Sequence, residues 1–116
     1  MSEHKTQIQQ AIQASIDVLD AAKAGPDKEW LVLDNNKAKT ATSLIQAALP
    51  LLEHLPKDKP ALKTFALRAI STLIYTESTI SILDNGTSES HKGRTETALG
   101  QLNQLLTMIE EAFAVN

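Results

Sequence analysis

Apolar residues recur along this chain at alternating intervals of three and four, in blocks separated by proline, glycine and charged turns. The sharpest block runs from Pro60 to Leu83, where Leu62, Ala66, Ala69, Leu73, Thr76, Ile80 and Leu83 keep the rhythm without a miss. Such spacing predicts the seam of an α-helix packed against near-parallel neighbours. Pro60 suits a first helical turn, and Asn85-Gly86 tolerates the left-handed conformation that ends a helix. Leu67, Ile70 and Ile74 add a second apolar row on one flank, and charge is confined to Lys63, Arg68 and Glu77. A helix apolar this far round is either central in its own bundle or also faces a second chain. Its charges interrupt any run long enough to cross a bilayer, so no membrane span is expected.

Three further helices follow from the same pattern. The first extends from about Glu3 to Ala24, with Ile8, Ile12, Ser15, Leu19 and Ala22 as its seam, and stops at Gly25-Pro26. The last starts near Ser88 or Ser90 and reaches about Ala114, on a seam of Ala98, Leu102, Leu105, Ile109 and Ala112. Gly93 and Gly100 each weaken it by about 1 kcal/mol relative to alanine, so its turns up to Thr95 are expected to fray first.

The second helix admits two readings. Leu31, Ala38, Ile45 and Leu52 recur every seven residues, as do Asp34, Ala41, Ala48 and Leu55, and one helix from about Asp27 to His54 satisfies both rows. That continuous helix is the preferred reading, although it puts Asp34 mid-seam. The alternative is a break at Asp34-Asn35-Asn36 with a helix from Lys37. Pro50 is expected to kink this helix, because its ring clashes with the carbonyl one turn back. The charged turn Pro56-Lys57-Asp58-Lys59-Pro60 then suits a helical hairpin. The expected fold is an all-α, antiparallel, up-down-up-down four-helix bundle forming a single domain over residues 1–116.

Composition narrows the chemistry. Only 3% of residues are aromatic against 42% hydrophobic, so the core must be built from Leu, Ile and Ala. A net charge of −3 with no basic stripe argues against nucleic acid as a partner. No cysteine means no disulfide, no thiolate chemistry and no zinc–thiolate site. The opening MSEHKTQIQQ is polar, without the apolar centre of a signal peptide, and a cytoplasmic location is expected.

The motifs of catalysis are missing. A di-iron bundle needs Glu-x-x-His pairs, and none of His4, His54 or His91 has a glutamate three residues before it. No metal or cofactor is expected. The serines and threonines have no GxSxG turn, and GRTETALG has neither the spacing nor the preceding strand of a phosphate loop. His91-Lys92-Gly93-Arg94, continuing to Ala98-Leu99-Gly100, resembles the His-x-x-Lys-Gly box of histidine phosphotransfer domains. His91 and Lys92 are adjacent, however, and the run opens the last helix with none to follow. Bacteriocin immunity proteins share this size and architecture but no motif matches them, which leaves analogy of fold alone.

Three features point toward binding. The outer stripe of the third helix, Thr64, Arg68, Ser71, Tyr75, Ser78 and Ile82, carries residue types enriched at hot spots, with small serines that allow close approach. A homodimer is its simplest use. A polar layer of Lys37 with Thr76 and Glu77, level with Ser15 and Thr95, would form a small pocket or hinge. The plainer reading has Glu77 reaching solvent on the flank. Trp30-Leu31-Val32-Leu33 is too long an apolar run for one seam and offers a third contact. The expected function is a non-catalytic bundle acting through protein–protein interaction, as adaptor, regulator, inhibitor or immunity factor. The alternative is a small-molecule sensor using the polar layer.

Overall fold

The structure, a computed structural model, describes residues 2–22, 33–84 and 92–114. These form four α-helices: α1 (Ser2–Ala22), α2 (Asn35–Glu53), α3 (Pro60–Asp84) and α4 (Lys92–Ala114). Each packs against two neighbours in a square, α1 with α2 and α4, and α3 with α2 and α4. Across the diagonals, α1 touches α3 thinly and α2 does not reach α4.

Every seam position of α1, α3 and α4 named from periodicity is buried, including Ser15, Thr76 and all the alanines. Phe65 is the largest fully buried side chain, and its ring meets the half-buried Phe113 edge-on at 6.1 Å between centroids. Phe65, Thr72 and Thr79 form a further buried column one seam away from Leu62 and Leu73. Alanines at 11, 38, 41, 48, 66, 69, 98 and 112 let the backbones approach closely enough for this aliphatic core to close.

The preferred continuous second helix does not form. Asp34 is extended (φ −80°, ψ 112°), and its Oδ1 accepts hydrogen bonds from the N–H groups of Asn36 at 3.0 Å and Lys37 at 3.1 Å. Its own carbonyl accepts from Ala38 N–H at 2.9 Å, which makes Asp34 the N-cap of a helix starting at Asn35. An aspartate within the seam would have had to bury its carboxylate, whereas at the cap it satisfies two of the orphan donors. Leu33 lies outside the helix and packs, half-buried, on the core. The rest of Trp30-Leu31-Val32-Leu33 lies outside the described residues.

The helix α2 runs through an exposed Pro50 and ends one turn later. There the backbone N–H of His54 donates to the carbonyls of Pro50 and Leu51, at 3.2 and 3.3 Å. The His54 ring also donates, from Nδ1, to the Pro50 carbonyl at 2.7 Å. This histidine is thereby occupied in closing the helix that precedes it. Among the described residues, no helix is long and apolar enough to cross a membrane.

Candidate functional site

Pairings between helices fix which side of α3 is free. Arg94, in the first turn of α4, reaches the latter half of α3. Its Nε donates to Thr79 Oγ1 at 2.8 Å, its Nη2 donates to Ser78 Oγ at 3.0 Å, and its guanidinium lies 4.1 Å from the Tyr75 ring centroid. Stacked and forked in this way, one arginine ties the start of α4 to three residues within one turn of α3, Tyr75, Ser78 and Thr79. Arg94 lies within the stretch expected to fray, of which residues 92–95 are described.

This clamp changes the outer stripe. Arg68, Ser71 and Ser78 are exposed as expected, and so is Thr64. Tyr75 and Ile82 are only half-exposed, and Tyr75 lies beneath Arg94. Arg68, Ser71 and Tyr75 instead line a shallow groove with Gln101, Gln104 and Met108 of α4.

The most exposed face of α3 is rotated toward α2. Leu67 is 62% exposed and Ile74 52%, the two large hydrophobic side chains that stand out into solvent among the described residues. Ile70, half-buried, lies between them. The Leu67 end of this face runs into a mainly apolar groove of about 580 Å³ lined by Leu52, Leu55, Ala66, Leu67 and Ile70 together with Glu53, His54, Lys57 and Lys63. A helix apolar beyond its seam is here peripheral, so its surplus of hydrophobic surface lies against water.

The polar layer comes apart in the structure. Thr76 is fully buried and donates to the Thr72 carbonyl at 2.8 Å, as Ser15 donates to the Ala11 carbonyl at 2.7 Å. Thr79 likewise donates to the Tyr75 carbonyl at 2.8 Å. These hydroxyls are satisfied on their own helices and project no free donor inward. The buried hydroxyl of Thr95 has no hydrogen-bond partner among the described residues. Glu77 stays on the α2–α3 flank and accepts from Gln46 Nε2 at 3.2 Å. Lys37 is exposed beside Asp17, Asp20 and Thr40 in the α1–α2 groove, whereas Glu77 lines the α2–α3 groove with Thr42 and Ser43. Helix face explains the difference: Lys37 looks toward α1 and Glu77 toward α2, and the start of α2 at Asn35–Ala38 lies by the Ile80–Asp84 end of α3 while Glu77 sits level with Thr42 and Ser43.

Among the described residues, no group of three or more His, Asp or Glu side chains gathers as a metal site. His4 is half-buried, His54 is engaged as described, and His91 lies outside the described residues, as do the proposed starts of the last helix at Ser88 and Ser90. One ion pair joins α1 to α4: Lys5 Nζ lies 2.7 Å from Glu110 Oε2, and Gln9 Nε2 donates to Oε1 of the same carboxylate at 2.9 Å. The hydrogen bond and charge of Lys5 hold the Glu110 carboxyl below its ordinary pKa, with a smaller contribution from Gln9. No protein-family model, curated protein or solved structure matches this chain.

Proposed function

We propose that this chain is a non-catalytic helical-bundle protein that acts through protein–protein interaction, using the outward face of α3. One observation carries the reading: Leu67 and Ile74, seven residues apart on one helix, are both more than half exposed, with Ile70 between them. Single exposed hydrophobics are ordinary, but aligned aliphatic side chains on one helix face form a contiguous strip of the kind that marks an interaction surface. Ser71 beside the strip leaves room for a partner's backbone to approach, Ser78 already holds Arg94, and Arg68 borders the strip. An adaptor, regulator, inhibitor or immunity factor would each work through such a strip.

A photoreactive residue placed at Ile74 tests the proposal in lysate of the cell of origin. A discrete protein adduct is expected from position 74, and none from the same probe at exposed Gln13 on α1. Equal labelling from both positions, or none from either, would overturn the reading.

A further inference from the structure

Resting on that reading, we infer that the partner of α3 is a second copy of this chain, with the two α3 helices running in opposite directions about a two-fold axis beside Ile70 and Ser71. The central row of the outward face is Thr64, Leu67, Ser71, Ile74 and Ser78, at the four-and-three spacing of a helix–helix seam. Lys63, Ile70 and Glu77 flank it as a column at intervals of seven.

Charge decides both partner and direction. A two-fold axis beside Ile70 carries each residue a given distance before it to the height of the residue the same distance after it. Lys63, seven before, then faces Glu77 of the second copy, seven after, and the symmetry makes the pair twice. Leu67 arrives within one residue of Ile74 of the second copy, so the two exposed aliphatics cover each other. Running the helices in the same direction would place the column of Lys63, Ile70 and Glu77 on opposite flanks, make no Lys63–Glu77 pair and set Lys63 near Arg68 of the second copy, a repulsive arrangement. Lys63 is exposed, and Glu77, although bonded to Gln46 through Oε2, keeps Oε1 unengaged by any bond described above. The face is thus complementary to itself in apolar surface and in charge, as an isologous contact requires.

Sedimentation equilibrium of the full chain, taken to high micromolar concentration, tests this. The wild type is expected to show a reversible equilibrium between the 12.6 kDa chain and its dimer. Lys63→Glu and Glu77→Lys each turn two attractions into two repulsions and should weaken the dimer by about tenfold. The double variant restores both pairs with their signs exchanged and should recover the wild-type dissociation constant to within about threefold. Far-UV circular dichroism establishes that each variant keeps its helices. A wild type that stays monomeric throughout, or a double variant as weak as the singles, would overturn the second copy as partner. The Ile74 probe keeps the two proposals apart. An adduct of two whole chains, at twice the 12.6 kDa of one, supports the dimer, and a link within one chain counts as no adduct. An adduct to a different protein overturns the dimer and leaves the binding reading standing, and no adduct overturns both.

Discussion

Replacing Asp34 puts the start of α2 to a test in which the two readings of that segment predict opposite signs. Asp34 Oδ1 holds two backbone N–H groups, and its charge sits at the positive end of the helix. Removing the cap costs about 1 kcal/mol, and losing the charge adds up to about 0.5 kcal/mol at an exposed site. Unfolding entropy of about 2.1 cal/mol/K per residue, taken over the chain, gives roughly 0.24 kcal/mol per degree. Asp34→Ala should therefore lower Tm by about 4–6 °C. Asp34→Asn keeps an acceptor and should lose only about 1–2 °C. Asp34→Leu is the decisive variant. In a continuous helix a leucine there completes the seven-residue row with Ala41, Ala48 and Leu55, and Tm rises. At an exposed cap it buries nothing and Tm falls at least as far as with alanine. Thermal melts followed by far-UV circular dichroism at neutral pH measure all three, and an Asp34→Leu Tm at or above wild type would refute the capping argument.

Other consequences are open to equally direct measurement. Arg94→Lys keeps the charge but cannot fork to Thr79 and Ser78 while stacking on Tyr75, so about 1 kcal/mol should be lost and amide exchange over residues 92–98 should accelerate. Unchanged exchange there would mean that the clamp contributes nothing. Gly100→Ala should raise stability by about 0.5–1 kcal/mol, since its new Cβ meets nothing within 4 Å and the helix gains propensity; a drop in denaturation midpoint would contradict this. The pKa of Glu110 is lower folded than unfolded, so the Lys5 pair stabilises fully above the ordinary glutamate range and ceases to do so as pH falls through the lowered folded value. The Tm gap between wild type and Lys5→Met should accordingly close on acidification, and a gap independent of pH would show that the pair is not its source.

Periodicity made the buried face of each helix readable, because a seam needs only intervals of three and four within one segment. Thr76, Ile80 and Leu83 could be placed in the core with no knowledge of what lies opposite. The same rhythm misled at Asp34, which falls four residues before Ala38 and thus in phase with a seam that it caps. A cap and a seam position differ only in whether the chain behind continues as helix, and apolar spacing is silent on that. The site was less legible. Tyr75 looked free because its cover, Arg94, is remote in sequence and on a helix whose register no local pattern sets. Glu77 and Lys37 were matched by counting from loops, which compares heights but not faces, and Lys37 looks toward α1 whereas Glu77 looks toward α2. Leu67 and Ile74 were visible as an apolar row. Their exposure required knowing that α3 occupies a corner of the square and not its centre.

The Lys5–Glu110 bridge has a topological consequence. It ties the first turns of α1 to the last turns of α4, so the outer ends of the first and last helices lie side by side and the four helices close into a ring. Around a ring, the place where the backbone is interrupted is a matter of connectivity more than of energy. A short flexible linker from Ala114 back to Ser2, with new ends opened in the exposed turn at Lys57-Asp58, would leave every helix contact in place. Read in that permuted order, α3 opens the chain and α2 closes it, and the face bearing Leu67 and Ile74 moves from the interior of the sequence to its first helix.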